Sequence, residues 1–168
     1  MTIRFEALSE KHRRPVIDIF NYYVENSTAA YRAEPVDYGF YDNFLEDAKD
    51  YPGYAMIDQD DTVVGFCTLE AFMPIKTFSA AAEATYFIHT AYTGKGIGKK
   101  ALDRLEEDAG RMGIGKIVVN VSDDNDRSIG FHRRNGFTEY GRLGRVGRKL
   151  GKSFGIVYME KTLGRGTS

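Results

Sequence analysis

With 168 residues, 42% of them hydrophobic and 28% charged, the chain has the length and composition of one folded domain able to bury a core. A formal net charge of -1 argues against nucleic acid as the main ligand, and a single cysteine excludes a disulfide framework and any cysteine-based zinc site. No apolar run approaches the roughly 18 residues of a membrane span, and Met1 to Ala7 lacks the apolar stretch of a signal peptide, so the expectation is a soluble, cytoplasmic protein without a membrane partner.

Ile3 to Ala7 alternates like an opening strand, and Ser9 is a fair N-cap for a helix from Glu10 to about Val24, with Val16, Ile17, Phe20, Tyr23 and Val24 on one face. Asn26 to Pro35 is polar and irregular. Asp37 to about Lys49 places Phe40, Tyr41, Phe44, Leu45 and Ala48 at helical spacing, and Tyr51-Pro52-Gly53 ends it. Tyr54 to Gln59 and Thr62 to Ala71, joined by Asp60-Asp61, predict a β-hairpin. After a loop, 72–80, come a strand near Ala84 to Ile88, a glycine loop, and a helix from about Gly96 to Met112. Ile117 to Val121 is a continuous apolar run, the mark of a strand covered on both faces. Arg127 to Arg134 reads as a short helix, and Phe137 to Val146 and Phe154 to Leu163 as two strands around a basic turn, 147–152. The expected architecture is mixed α/β with about seven strands and four helices, in which strand 81–88, helix 96–112 and strand 117–121 form a parallel crossover. Residues 1–163 read as a single domain and 164–168 as a loose tail.

The stretch Glu83 to Leu102 runs from a strand through Gly94, Gly96 and Gly98 into a helix. Such a loop brings backbone N–H groups and a helix N-terminus to an anion. A P-loop is excluded, because counting from Gly94 puts Lys99 where a glycine is required. Gly96-Ile97-Gly98-Lys99-Lys100-Ala101 fits the dinucleotide pattern G-x-G-x-x-A, but a dinucleotide site wants successive parallel βαβ units, and a hairpin precedes this motif.

Thr93-Gly94-Lys95-Gly96-Ile97-Gly98, after a strand and opening a helix, resembles the acetyl-coenzyme A loop of the GNAT N-acetyltransferase family. The similarity extends to its phosphinothricin acetyltransferase-like branch through Asn21 to Thr28, Tyr31-Arg32-Ala33-Glu34-Pro35, Ala82 to Tyr86, Asn125 with Ser128, His132 and Gly136-Phe137, and Val146-Gly147-x-Lys149-x-Gly151. These motifs fall in order over almost the whole chain. The resemblance implies the GNAT acyl-CoA N-acyltransferase fold, with acetyl-CoA as co-substrate and Thr93, Gly94, Lys95, Gly96, Ile97, Gly98 and Lys99 around its pyrophosphate.

Direct attack of an amine on a thioester needs no enzyme nucleophile, but it benefits from a base, because alkyl amines are protonated at neutral pH. Glu83 lies in an otherwise uncharged strand and shares a face with Thr85, Phe87 and His89. It reads as that base or as a strand-start carboxylate facing water, and the resemblance assigns the base to it. The resemblance further implies main-chain contacts from Phe87 and Ile88 to the pantetheine arm, with the Ile88 N–H as oxyanion donor, and coenzyme contacts from Asn125 and Ser128. His132 stands where relatives carry a group near the leaving thiolate; its other reading is a surface or capping histidine. His12 and His89 lack partners at metal-ligand spacing and read as a helix-surface and a strand-end residue. No metal is expected, and Cys67 reads as a core side chain.

Thr93 stands where the family loop starts with glutamine or arginine. Ser153 and Gly155 stand where the branch has a tryptophan and an acidic residue, and the arginine and tyrosine of the herbicide-inactivating members fall near Ile75 or Lys76 and Phe78. The expected substrate is therefore the primary amine of a small molecule, an amino acid or an analogue of the phosphinothricin or methionine sulfoximine kind. Arg32 and Lys76 are candidate carboxylate partners, and Phe72 and Phe78 candidate pocket walls. Two other functions fit the motifs: a non-catalytic acyl-CoA sensor and a nicotinamide-dependent oxidoreductase. A homodimer could use the aromatics of 37–49 or the last hairpin.

Overall fold

The computed structural model describes residues 1–164; the tail expected at 164–168 lies, apart from Gly164, outside the described residues. Seven strands form one mixed sheet in the order β1-β2-β3-β4-β5-β7-β6. They are β1 (Arg4–Ala7), β2 (Gly53–Ile57), β3 (Val63–Ala71), β4 (Ala81–Ile88), β5 (Lys116–Ser122), β6 (Thr138–Lys149) and β7 (Lys152–Thr162), and the helices are α1 (Arg13–Asn26), α2 (Tyr41–Asp47), α3 (Ile97–Arg111) and α4 (Asp126–Arg134). This is the order of elements read from the sequence.

Helices α1 and α2 cover one face of the sheet. Val16, Ile17, Ile19 and Tyr41 pack there on Ala55, Ile57 and Phe66. Helices α3 and α4 cover the other, with Ile97, Ala101, Leu102, Leu105, Ala109 and Ile129 against Ile117, Val119 and Val121. The apolar run of β5 is thus buried from α3 and α4 through its odd-numbered residues, while Asn120 and Ser122 turn to the other side.

Four local expectations are corrected. The helix expected from Glu10 opens as a 3-10 turn, Glu10–His12. His12, expected on the surface, is buried there: its Nδ1 receives the Ser9 N–H at 3.1 Å and its Nε2 lies 3.2 Å from Glu6. The second helix is shorter than 37–49, because Asp37 Oδ1 accepts the Phe40 N–H at 3.2 Å and ties residues Tyr38–Phe40 into a tight turn. The expected basic turn 147–152 is strand except for Leu150 and Gly151. Lys149 is consequently not on the solvent face. It is 7% exposed and donates to the Ala30 carbonyl at 2.6 Å.

The feature that positions the site is the junction of β4 and β5, the one parallel pairing of the described sheet. It holds over three residue pairs, Ala81 with Lys116, Ala82 with Ile117 and Glu83 with Val118. Beyond Glu83 the two strands separate. β4 continues on β3 as far as Ile88, and β5 on β7 as far as Ser122.

The last hairpin closes tightly behind β5. A Cβ on Gly155 would collide with the Leu143 carbonyl oxygen and approach Asp123 Oδ2 to 2.6 Å and Gly144 Cα to 2.9 Å, which is why a side chain of the kind the branch carries there does not fit this backbone. Gly155→Ala is expected to destabilise the protein by about 2 kcal/mol, lowering Tm by roughly 4–8 °C in a thermal melt.

Candidate active site

The gap between β4 and β5 opens into a cavity of about 920 Å³. Its walls come from β4 and β5, Glu70 of β3, helix α1, Phe40 and Phe44, the stretch 29–31 after α1, the loop before α3, the first turn of α3 and the length of α4.

Strand alternation decides which backbone groups face the gap. The His89 N–H donates to Val64 O at 2.8 Å, and Phe87 stands opposite Phe66 in the same register. The polar main-chain groups of Phe87 and His89 therefore point to β3, and those of Tyr86 and Ile88 point into the gap. This corrects the expectation for Phe87: its main chain is consumed by the sheet, and only its ring reaches the cavity, packed against Phe20, Tyr23 and Phe66. The Ile88 carbonyl is capped by the Tyr23 hydroxyl.

At the far end of the gap lies the glycine loop. Gly94 and Gly96 have φ of 76° and 81°, a left-handed backbone that glycine adopts without strain. None of the N–H groups from Gly94 to Lys99 finds a backbone acceptor among the described residues. They and the N-terminus of the 15-residue α3 form an anion cradle. Gly94, Gly96, Ile97, Gly98, Lys99 and Thr93 line the cavity; Lys95 does not, its Nζ lying 5.3 Å from the centre of the Tyr92 ring. Thr93 turns its hydroxyl back to Thr90 O at 2.9 Å. The positive group missing at that position comes from α4: the Arg127 guanidinium would stand 3.2 Å from a Cβ on Gly94. Sequence reading passed over Arg127, because only the packing of α4 beside the loop gives it that place. Asn125 caps α4, accepting the Ser128 N–H at 3.2 Å, and both residues line the cavity.

Glu83 sits at the vertex of the fork, half-buried. Asn120, two residues further along β5 than Glu83's partner Val118, donates to its Oε1 at 2.5 Å. Burial raises the Glu83 pKa above 4.5, and the Asn120 hydrogen bond opposes the rise. Glu83 thus faces the cavity, not bulk water. Tyr31 lies beside it, stacked on Phe154, with its phenol pushed up to about 12 mainly by burial. The loop carrying Tyr31 is fastened at three points, one of them through Asp124, which is itself paired with Lys152. Ser122 Oγ donates to Thr28 O at 2.5 Å, Thr28 Oγ1 to Asp124 at 2.6 Å, Lys152 pairs with Asp124 at 2.9 Å, and Lys149 holds Ala30.

His132 is 2% exposed, and its ring stacks on Tyr86 at 5.6 Å between centroids. Its Nδ1 lies 2.7 Å from the Ser128 carbonyl, which can only accept, so Nδ1 carries the proton and Nε2 accepts from the Tyr86 hydroxyl. Burial lowers its pKa to about 4. The surface or capping reading of His132 is therefore corrected: the ring is buried, neutral and bonded at both nitrogens.

The four substrate residues are not brought to the cavity. Arg32 lies at the rim, its guanidinium 5.0 Å from the centre of the Phe40 ring. Phe72, Lys76 and Phe78 sit on the exposed 72–80 loop, and none lines the cavity. Aromatic walls come instead from Phe20, Phe40 and Phe44. Cys67 is fully buried in the core, and its thiol is pushed up by burial. His89 ends β4 as an exposed cap, accepting the Ala91 N–H at 3.1 Å. No group of metal-ligating side chains occurs among the described residues.

Residues 16–137 match the model of the acetyltransferase (GNAT) family. The chain is 30% identical over 151 residues to an L-methionine sulfoximine/L-methionine sulfone acetyltransferase of Pseudomonas paraeruginosa, covering 88% of this chain and 87% of that one. It is 29% identical to the protein of the same description in Salmonella typhimurium, covering 97% and 95%. Among solved structures, a GNAT superfamily phosphinothricin acetyltransferase of Sinorhizobium meliloti in complex with AcCoA superposes with a TM-score of 0.94 at 25% identity, covering 99% of this chain and 91% of that one. The chain belongs to the GNAT family and is an acetyl-CoA-dependent N-acetyltransferase. The nicotinamide reading fails on topology, since the sheet holds one parallel crossover and not a succession of them.

The depressed pKa of His132 makes the fold acid-sensitive. Unfolding lets the ring take up a proton at its ordinary 6.5, so this contribution to stability is present above that value and is lost as pH falls toward 4. The loss amounts to about 3 kcal/mol. Denaturant titrations at a series of pH values should show a shallower acid decline in His132→Phe than in the unaltered protein.

Proposed function

We propose that the protein acetylates the primary amine of a small molecule, an amino acid or amino-acid analogue, by direct attack on acetyl-CoA with Glu83 as general base. The observation that carries this reading is the half-buried, cation-free carboxylate at the vertex of the β4–β5 fork, held by Asn120 and facing a cavity that ends in an anion cradle. The relatives named for methionine sulfoximine and methionine sulfone, and the phosphinothricin acetyltransferase, support the substrate class.

The coenzyme's pyrophosphate would rest on the N–H groups of Gly94 to Lys99, with Arg127, Asn125 and Ser128 beside it. The Ile88 N–H would donate to the thioester carbonyl as its oxygen becomes an oxyanion. A neutral amine attacks the carbonyl carbon; as the N–C bond forms, the nitrogen's proton passes to Glu83. Collapse of the tetrahedral intermediate breaks the C–S bond and releases the coenzyme thiolate and the amide. His132 would act through Tyr86, its Nε2 fixing the phenol on the gap side of β4, and so is a positioning residue. Arg32, outside the cavity lining but over the Phe40 ring, would meet a substrate carboxylate at the rim; Phe72, Lys76 and Phe78 are not carried forward.

Glu83→Gln should lower kcat about 100-fold or more, measured as thiol release across a panel of amino acids and their sulfone and sulfoximine analogues, while the Kd for acetyl-CoA stays within about twofold of the original. Because burial raises the Glu83 pKa, the rate should fall as pH drops through a value above 4.5, and that acid limb should vanish in the variant. Unchanged turnover in Glu83→Gln would remove Glu83 from the mechanism.

A further inference from the structure

A second carboxylate stands in the same cavity. Glu70 on β3 is the register partner of Glu83 on β4. The odd-numbered residues of β4 are the ones hydrogen-bonded to β3, as the His89 N–H to Val64 O bond shows. Glu70 and Glu83 are therefore a hydrogen-bonded antiparallel pair, with Cα atoms about 5.5 Å apart and both side chains on the α1 and α2 face. Both line the cavity.

Like charges directly opposite on a sheet are destabilising, and these two are not offset. Neither carboxylate forms a salt bridge among the fifteen in the described residues. Among the described residues the only side-chain hydrogen bond to Glu70 comes from Thr85 Oγ1 at 3.3 Å, at the long limit of such a bond. Burial and the Glu83 charge both raise the Glu70 pKa, and Asp47 adds to the same negative field. The cations of the cavity wall, Lys99, Arg127 and Arg134, belong to α3 and α4, and the Arg32 guanidinium lies at the rim over the Phe40 ring. The wall on the Glu70 side includes Phe44, which Phe20 and Phe40 meet edge-to-face while stacking on each other, and aromatic faces attract cations.

We propose that Glu70 is a specificity-determining residue that selects amine substrates bearing a second positive charge on a short chain, basic amino acids and diamines ahead of neutral or acidic ones. One amine loses its proton to Glu83 and is acetylated. The second cationic group stays protonated, lies against Glu70 among the phenylalanine rings, and relieves the repulsion between the paired carboxylates. The proposal deepens the reading of the protein as a small-amine acetyltransferase and rests on it.

The test compares thiol release with L-arginine and L-citrulline, which differ in side-chain charge at nearly constant shape, in the unaltered protein, Glu70→Gln and Glu70→Asp. One charge pair in a half-buried site supports a preference of about tenfold or more in kcat/KM for arginine. That ratio should fall to about twofold or less in Glu70→Gln through KM, and recover in part in Glu70→Asp. Because the ratio is taken within each variant, a general loss of activity does not imitate the result. A ratio near one in the unaltered protein, or one that Glu70→Gln leaves intact, overturns the proposal. Thermal stabilisation by the two ligands separates it from the reading beneath it: no thiol release from any small amine, together with selective stabilisation by arginine that Glu70→Gln abolishes, would leave the cation selection standing and reject small-amine acetylation.

Discussion

The structure depends on where the pairing of β4 with β5 stops. Three residue pairs join the strands, and after Glu83 and Val118 they part. A parallel pair left open in mid-sheet exposes polar backbone groups on both strands, which is costly unless water or a ligand satisfies them. Each half of the sheet is held rigid by its outer neighbours, β3 on one side and β7 on the other. The open edge of β4 is therefore fixed in direction, and the Ile88 N–H points into a cavity whose position does not rely on a mobile loop.

Charge is divided along that cavity. The loop end has unpaired N–H groups, the N-terminus of α3 and the Arg127 guanidinium, all suited to an anion. The vertex end has two carboxylates, a raised tyrosine and phenylalanine rings. A net charge of -1 for the whole chain hides this separation. The neutral Tyr86–His132 pair lies between the two ends, buried deeply enough that neither group ionises near neutrality.

Most of the element order was legible in the sequence, because the helices are amphipathic at clear spacing and the turns at Asp60-Asp61 and after Met112 carry the residues such turns need. The glycine loop was legible for the same reason. What was not legible depends on register. The two-residue repeat shows that Phe87 and Ile88 face opposite ways, but only the pairing of His89 with Val64 says which of them faces the gap. Glu70 reads in isolation as an ordinary strand glutamate, and it becomes notable only when the register sets it opposite Glu83. The place of Arg127 likewise follows from helix α4 packing beside the loop, and the tautomer of His132 from its bond to the Ser128 carbonyl one turn back in α4. Phe72, Lys76 and Phe78 are candidates only by their place in the loop before β4, where the chain departs from the branch, and that loop does not reach the cavity wall.

The most direct measurement is a crystal structure with acetyl-CoA bound. The pantetheine arm should lie along the open edge of β4, with the Ile88 N–H on the thioester carbonyl, the pyrophosphate on the N–H groups of Gly94 to Lys99, and Glu83 facing the carbonyl carbon across the space left for the amine. A coenzyme bound away from the β4–β5 gap, or a thioester turned from Glu83 with Ile88 unpaired, would contradict the account.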